Sequence, residues 1–466
     1  MLFNSFVFIG FLLITFFLYY LPILKKYQVQ VLISASLFFY SYQQPSLLFL
    51  LLFSALINIV FSFLVLNGQR HLMKIYATIG VIINVLILFF FKYTSLVAKL
   101  FFAENDSIGS FFLNIPLPIG ISFYTFQGIS LMIDVFRNGN FNNIRNNSSS
   151  FIDYGKHVLL FKSFFPQLIA GPIVKAHDFI PQIKSKSFDG INWEFVFRCL
   201  ITGYFLKMVV ADNLKDFTYW ISFPFFQGYS SLTLLTMLFG YSCQIFADFA
   251  GYSLIAIGLA NLFGYHFFNN FDFPYFSRSF KEFWRRWHIS LSSFLKEYLY
   301  IPLGGNRLGN LRTNLNLLLV MIIGGFWHGA DWSYAIWGLF HGLALVVEKL
   351  IMDNVKIKGN KVISIFKILL TFCLVTFAWI LFKLPNFAHV IEFFKCLYNN
   401  FGQTPNYQLI TYTLIYSFPV FLYHLYHYLK LKKYLTDNYD FILFGIMLFL
   451  IITNSGSTGS FIYFQF

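Results

Sequence analysis

Charged residues and cysteines are both scarce in this sequence. Of its 466 residues, only 11% are charged and 58% are hydrophobic. A soluble domain carries about a quarter charged residues, so an ordinary soluble fold is excluded. The four cysteines lie in apolar surroundings without CxxC spacing, and we therefore predict no disulfide, metal ligand or nucleophile among them: Cys199, Cys243, Cys373 and Cys396.

The first apolar segment lacks the features of a cleavable signal peptide. It has no basic region before it, it is too long, and no small-residue cleavage site follows it. Lys25 and Lys26 come directly after it, so the positive-inside rule predicts an extracytoplasmic N-terminus. The net charge of +14 comes from residues between apolar segments. Membrane orientation and anionic lipid explain these charges, and we predict no nucleic-acid binding.

The apolar residues fall in blocks of membrane-spanning length, which is roughly 20 residues for a helix. They predict an all-α polytopic membrane helix bundle with about 10–12 crossings, formed by residues 1–466 as a single domain. Some re-entrant or interfacial helices are expected in addition to these crossings. Four blocks are shorter or broken by Gly and Pro: Val29–Phe39, Pro116–Val135, His157–Gly171 and Phe195–Val210. The long blocks are Leu2–Leu24, Pro45–Leu66, Ile75–Phe91, Leu232–Phe263, Leu315–Val347, Val362–Phe382, Leu409–Tyr426 and Phe441–Thr453.

His328 lies within the long apolar block that begins at Leu315. Ionisable residues at membrane depth are costly and indicate function by default. The neighbouring glycines allow another helix or a thin substrate chain to approach, and Trp327 and Trp332 would form aromatic walls. Imidazole is the usual base at neutral pH, so we predict that His328 is catalytic. The alternative is a structural histidine held by one hydrogen bond to a carbonyl group.

The segment Ser279–Arg307 has an apolar stripe at helical spacing, with basic and polar residues on the other side. We predict one amphipathic helix at the membrane surface or along a polar cavity. Arg285 and Arg286 either line that cavity or contact lipid phosphates. His288 is the stronger site candidate, and a glycine turn brings Asn306 and Arg307 toward the cavity unless it is a plain loop.

Asp248 is a carboxylate in an apolar segment and requires a cationic or hydrogen-bonding partner. We predict an ion pair with Arg285 or Arg286. The segment Phe164–Ile183 contains three prolines, which favours a re-entrant shape with Gln167 facing a cavity.

The remaining histidines give weaker signals. His341 would lie about 140° from His328 on one regular helix, so we do not pair the two. Others, including His424, lie near segment ends, and we interpret them as interfacial. No HxxxH spacing is present, so we predict no metal site.

Several of these motifs together resemble the membrane-bound O-acyltransferase superfamily. The resemblance is carried by Phe246–Arg307 and by GGFWHGADWSYAIWGLFHG, with support from PLPIGISFYTFQ, FFPQLIAGPIV and the terminal FIYFQF. It spans almost the whole chain, with a motif-rich core at about 116–348. The sequence is similar to the branch that contains the alginate and peptidoglycan O-acetylation membrane proteins.

The resemblance implies a helix bundle around a central tunnel. The superfamily histidine matches His328 and the second family histidine matches His288. It also implies transfer of an acyl group, acetyl from acetyl-CoA, from the cytoplasmic side to a separate extracytoplasmic SGNH-type transferase that acetylates a polysaccharide. No bound cofactor is expected, and the implied setting is the cytoplasmic membrane of a bacterium. His328 would be the base, while His288, Asn306 or a backbone N–H would stabilise the oxyanion.

Two alternatives remain open at the level of sequence. The first is D-alanyl transfer to teichoic acids, whose enzymes share the motifs around His288 and His328. The second is a transporter or flippase, in which intramembrane His and Asp relay protons. A transporter predicts inverted repeats or paired broken helices, and the sequence shows neither symmetry.

Overall fold

Helices are the regular elements of the described chain, which confirms the predicted all-α class. The computed structural model describes residues 1–42, 44–102, 106–137, 150–168, 171–354, 360–435, 439–457 and 459. The terminal FIYFQF motif and the Ile169–Ala170 pair of FFPQLIAGPIV lie outside the described residues.

The α-helices vary from a single turn to more than eight turns. In chain order they are α1 (Phe6–Tyr20), α2 (Gln28–Ser41), α3 (Pro45–Asn67), α4 (Arg70–Phe101), α5 (Ser107–Leu113), α6 (Ile121–Phe136), α7 (Phe151–Ser163), α8 (Phe165–Leu168), α9 (Ala176–Phe179), α10 (Trp193–Tyr204), α11 (Asp212–Thr218), α12 (Ser231–Leu262), α13 (Phe280–Arg286), α14 (Ile289–Leu295), α15 (Gly309–His328), α16 (Trp332–Asn354), α17 (Lys361–Lys383), α18 (Phe387–Asn399), α19 (Tyr407–Leu431) and α20 (Asp440–Thr453).

The chain forms two compact units. The first comprises Met1–Phe197 and Ile255–Phe268, and the second comprises Arg198–Leu254 and Asn269–Phe466. Helix α12 contributes residues to both units.

Six helices in the described chain are long and apolar enough to cross a membrane. The count becomes seven if the bent pair formed by α1 and the Pro22–Ser41 segment, which meet at 93°, is one span. This supports a multi-pass membrane protein, although fewer helices meet the criterion than the expected 10–12. The difference arises because several apolar blocks form short or bent helices.

The block Leu315–Val347 is not one span, because it forms the hairpin of α15 and α16. Glycines allow the two helices to approach closely. A Cβ at Gly325 would lie 2.2 Å from the Tyr334 carbonyl oxygen, and one at Gly338 would lie 2.3 Å from that of Met321. These glycines therefore serve helix packing, as small residues do in membrane bundles.

The prediction of one amphipathic helix over Ser279–Arg307 is wrong. Helix α13 ends at Arg286, and α14 begins only at Ile289. His288 between them has a left-handed backbone with φ of 43°, which no regular helix contains. The segment is therefore broken at His288, which is its strongest site candidate.

In the first unit, a pair of buried asparagines joins α3 to α4. The Nδ2 group of Asn58 donates to Oδ1 of Asn84 at 3.1 Å, and that of Asn84 donates back to Oδ1 of Asn58 at 3.0 Å. Each amide also donates to a carbonyl of its own helix. Reciprocal amide bonds satisfy groups that would otherwise be costly inside an apolar bundle.

Candidate active site

The break at His288 is held by Asn270, a residue of the preceding loop in the second unit. The Ile289 N–H donates to the Asn270 carbonyl at 2.9 Å, and the Ser290 N–H donates to Asn270 Oδ1 at 3.2 Å. A left-handed backbone costs a non-glycine residue of order 1 kcal/mol or more. These hydrogen bonds offset that cost and fix the direction in which the imidazole leaves the chain.

The same asparagine determines the tautomer of His288. Asn270 Oδ1 accepts from the Ser290 N–H, so it is the amide oxygen, and its Nδ2 group donates to Ser253 Oγ at 3.2 Å. His288 Nδ1 lies 3.1 Å from that oxygen and must therefore donate to it. The Nε2 atom of the neutral ring then carries the lone pair. Burial lowers the pKa of His288 to about 3, which keeps the ring neutral.

This tautomer changes the chemistry expected of His288. A neutral ring with hydrogen on Nδ1 accepts a hydrogen bond at Nε2 and cannot donate one there. The role as an oxyanion donor would therefore require an imidazolium, which burial disfavours. In this arrangement His288 donates a hydrogen bond at Nδ1 and can accept one at Nε2.

His328 is the last residue of α15 and is 3% exposed. Its ring packs against Trp337 at 5.2 Å and Phe382 at 5.1 Å between centroids. Its position at the end of a helix, at the turn of the α15–α16 hairpin, differs from the predicted middle of a continuous run. The predicted burial in apolar surroundings is confirmed.

Trp327 brings the two sequence-predicted histidines together. The centroid of its indole lies 4.9 Å from that of the His328 ring and 6.1 Å from that of the His288 ring. The His288 ring also packs against the Phe249 ring, with the centroids 4.5 Å apart and the rings nearly perpendicular. Two imidazoles thus lie beside the same buried indole, in surroundings that exclude bulk water.

The second aromatic wall is not Trp332, which is 54% exposed. Trp337 takes that place, because it is fully buried and contacts His328. Trp337 also packs on Trp379 at 5.6 Å. The sequence reasoning missed Trp337 because it assumed a continuous helix through residues 329–331.

His341 is a third buried histidine close to this cluster. It is 0% exposed, and its ring lies 4.7 Å from Trp337, the indole that also contacts His328. Neither ring nitrogen has a hydrogen-bond partner among the described residues. The helical-wheel separation that argued against pairing His341 with His328 fails, because the two residues lie on different helices of a hairpin.

Asp248 pairs with a lysine, and the prediction of Arg285 or Arg286 is wrong. Lys207 Nζ donates to Asp248 Oδ1 and to Asp212 Oδ1, each at 2.7 Å. Burial on its own lowers the pKa of Lys207, but the carboxylates of Asp248 and Asp212 outweigh it and hold the pKa above its ordinary value. Lys207 is therefore charged and neutralises part of a buried acidic pair.

The two arginines lie at the edge of the second unit. Arg286 binds Glu282 at 2.9 Å and the Asp272 carbonyl at 3.1 Å, while Arg285 is exposed. Asn306 and Arg307 are also exposed, in a turn that Asn316 ties down by donating to the Gly305 carbonyl at 2.9 Å. Arg285, Asn306 and Arg307 thus lie at exposed positions and Arg286 is half-buried, whereas His288 and His328 are buried.

Gln167 lies in the first unit, in the short helix α8. Its Nε2 group donates to the Phe161 carbonyl at 2.7 Å, and the residue is 1% exposed. The segment from Phe164 to Ile183 is broken into short helices, as its prolines predicted. The amide of Gln167 thus stabilises this irregular segment.

His424 is buried within α19, so the prediction of an interfacial histidine is wrong. Its Nδ1 atom lies 2.8 Å from the Val420 carbonyl, and its Nε2 atom accepts from the Tyr275 N–H at 3.4 Å. Both nitrogens are used, which makes His424 a structural residue. No group of three or more potential metal ligands occurs in the described chain.

The chain is an all-α, multi-pass membrane protein with two buried histidines beside one tryptophan, and comparison with known proteins identifies its class. The model of the membrane-bound O-acyltransferase family matches residues 34–391, and the chain belongs to that family. It is therefore an O-acyltransferase.

Three relatives illustrate its place in the family. The chain is 35% identical to a peptidoglycan O-acetyltransferase of Helicobacter pylori, over 84% of this chain and 80% of the relative. It is 34% identical to a probable alginate O-acetylase, AlgI, of Pseudomonas aeruginosa, over 86% of this chain and 75% of the relative. A teichoic acid D-alanyltransferase of Streptococcus thermophilus is 30% identical over 49% of this chain and 56% of the relative.

Proposed function

We propose that this enzyme transfers an acetyl group from cytoplasmic acetyl-CoA across the membrane for O-acetylation of an extracytoplasmic polysaccharide. The observation that carries the proposal is the pair of buried histidines on Trp327, in a chain that matches two proteins named for O-acetylation over more than four fifths of its length. Since these relatives are bacterial, the proposed location is the cytoplasmic membrane of a bacterium.

The chemistry requires a base, because an alcohol is a weak nucleophile at neutral pH. In the proposed step His328 accepts the hydroxyl proton as the alcohol oxygen attacks the thioester carbonyl. The new C–O bond forms, the C–S bond breaks, and the proton passes from the imidazolium to the departing thiolate. The buried rings of Trp327 and Trp337 exclude water from this site, and the thioester is thereby protected from hydrolysis.

His288 has a separate proposed role. Its hydrogen bond to Asn270 leaves Nε2 as an acceptor, so it orients the acyl donor by accepting a hydrogen bond from one of the donor's amide N–H groups, while the single hydroxyl proton goes to His328. The proposed acceptor of acetyl is an SGNH-type extracytoplasmic transferase, which then acetylates the polysaccharide. Arg285, Arg286, Asn306 and Arg307 are exposed or near the surface, which suits contact with lipid or with the soluble donor and partner.

The decisive experiment uses purified enzyme in lipid vesicles with radiolabelled acetyl-CoA and the SGNH-type partner. We expect labelled ester on the partner or on its saccharide, and a loss of about 10²–10⁴-fold with His328→Ala. His71→Ala is the matched control, because His71 is exposed at the start of α4 in the first unit. Full transfer by a well-folded His328→Ala enzyme would remove the imidazole from the reaction.

D-alanyl transfer is the second candidate, favoured by the similarity to a teichoic acid D-alanyltransferase. That match covers about half of the chain, whereas the O-acetylase matches cover more than four fifths. The same vesicles with a D-alanyl carrier protein distinguish the two donors. Transfer from the carrier and none from acetyl-CoA would establish the second candidate.

A further inference from the structure

A basic pocket lies within the first unit, far along the chain from the histidine motifs. Its volume is about 760 Å³. It is formed where the chain turns from α1 into α2 and where the loop after α9 passes this turn. The lining residues are Pro22, Ile23, Lys25, Lys26, Tyr27, Gln28, Val29, His157, Ile183, Lys184 and Ser185.

The charge of the lining is of one sign. Lys25, Lys26 and Lys184 contribute three ammonium groups, and no Asp or Glu is among the described residues that line the pocket. The Nδ1 atom of His157 is buried without a hydrogen-bond partner in the described chain. Like charges held together repel, so a bound anion would relieve this repulsion.

Lys186 adds to this positive field. Burial and then the neighbouring charge of Lys184 lower the pKa of Lys186. Its ammonium group lies 5.0 Å from the centroid of the Tyr265 ring. Lys184 and Lys186 are thus close enough for their charges to affect each other.

The pocket is built by the fold and not by mobile surface side chains alone. The buried amide of Gln28 donates to the Tyr19 carbonyl at 3.1 Å and to the Lys186 carbonyl at 3.0 Å. Its Oε1 atom accepts from the Lys186 N–H at 2.9 Å. One side chain therefore ties the loop that carries Lys184 to the start of α2, and this fixes the two basic segments beside each other.

Exposed apolar side chains, one in the pocket lining and two on the preceding helix α1, indicate which anion fits. Ile23, in the lining, is 83% exposed, and Leu13 and Phe17 of α1 are 63% and 65% exposed. A soluble anion would leave this apolar surface uncovered, whereas the acyl chains of a phospholipid would cover it. Lys25 and Lys26 also mark the predicted cytoplasmic end of α1, and the cytoplasmic leaflet carries the anionic lipids.

We propose that this pocket binds the phosphate headgroup of an anionic phospholipid, with the acyl chains along the exposed face of α1. The lysines bind the phosphate oxygens, and His157 contributes a further polar contact. The proposal is independent of the acyl-transfer chemistry, because the pocket and the histidines lie in different units.

The test is native mass spectrometry of delipidated protein in detergent, titrated with phosphatidylglycerol, phosphatidylcholine or CoA. We expect saturable phosphatidylglycerol binding that weakens at least about tenfold when Lys25, Lys26 and Lys184 are all changed to Gln, since each lysine near an anionic lipid contributes about fivefold. The matched control changes Lys361, Lys395 and Lys432 to Gln, which removes the same charge from exposed positions elsewhere. This control should bind like wild type.

Two further measurements keep the proposal testable if the triple variant folds poorly. The three lysines changed to Arg retain the charge and should retain binding. A photoactivatable phosphatidylglycerol on the wild-type protein should label peptides that contain residues 22–29 and 183–185. Equal loss in the two glutamine variants, labelling elsewhere, or tight CoA binding with no phosphatidylglycerol binding would each overturn the proposal.

Discussion

His288 Nδ1 donates to Asn270 Oδ1 across 3.1 Å, and this bond joins two residues eighteen positions apart. The Ser290 N–H binds the same oxygen, so the asparagine cannot be flipped without losing two hydrogen bonds. Asn270 is thereby a positioning residue for His288. It holds both the tautomer and the direction of a ring that leaves the chain from a left-handed backbone.

Replacing Asn270 with Ala should lower the acyl-transfer rate by about 10²-fold, because a misoriented His288 ring no longer holds the substrate in its reactive position. The double variant with His288→Ala should be no slower than His288→Ala alone, since residues that act as a unit are not additive. Single-turnover transfer in vesicles measures both. Additive losses would show that Asn270 acts elsewhere.

The buried ions around Lys207 give a prediction about stability. Lys207→Met leaves Asp212 and Asp248 buried without their shared cation, and should cost about 3–5 kcal/mol. Asp248→Asn should cost less, because Lys207 keeps its bond to Asp212. Thermal unfolding followed by size-exclusion chromatography measures both changes.

Lys395→Met is the matched control for the Lys207 variant, because Lys395 is exposed. We expect it to unfold at the wild-type temperature. A Lys207→Met protein as stable as this control would mean that the two carboxylates are protonated or hydrated, and that the ion pairs contribute little.

The sequence was sufficient to predict that His328 is buried in apolar surroundings, because an imidazole in an apolar block is costly and therefore informative. The ion-pair partner of Asp248 could not be predicted from the sequence in the same way. Lys207 lies 41 residues away in a short segment, and only packing brings the two together. The nearer arginines looked suitable by charge alone, but Arg286 binds Glu282 instead.

The helical hairpin at His328 could not be predicted from the sequence either. Residues 315–347 are apolar almost throughout, and no proline marks the break at residues 329–331. The glycines signalled close approach correctly, but not that the approaching element was the next helix of the same chain. Without the break, Trp337 and His341 could not be placed near His328.

The His177–Asp134 pair predicts a pH dependence of stability. Asp134 lies 2.8 Å from His177 Nδ1 and, through this hydrogen bond, raises the pKa of His177 above its ordinary value. The extra stability is complete below about pH 6.5, the pKa in the unfolded chain, and is lost as the pH rises through the raised folded value. His177→Gln should therefore lower the unfolding temperature at pH 5.5 and leave it unchanged at pH 8.5.

The size of the His177 effect should be small. The His177 side chain is 35% exposed, and solvent-screened pairs contribute no more than about 1 kcal/mol. The matched control is His71→Gln, which changes an exposed histidine. An equal loss of stability at both pH values would mean that His177 stabilises the fold through its shape and not through its charge.

The last prediction concerns the close packing of α15 against α16. A methyl group at Gly325 would lie 2.2 Å from the Tyr334 carbonyl oxygen, which is a backbone atom and cannot turn aside as a flexible side chain can. Gly325→Ala should therefore force the helices apart, displace His328 three residues later, and lower both the unfolding temperature and the transfer rate. Gly445→Ala is the control, because a Cβ at Gly445 in α20 meets nothing within 4 Å. Alanine favours a helix interior by about 1 kcal/mol over glycine, so the control should be at least as stable as wild type.

If Gly325→Ala behaves like this control in both measurements, the hairpin does not depend on close glycine packing. The aromatic neighbours of His328 would then have to maintain its position alone.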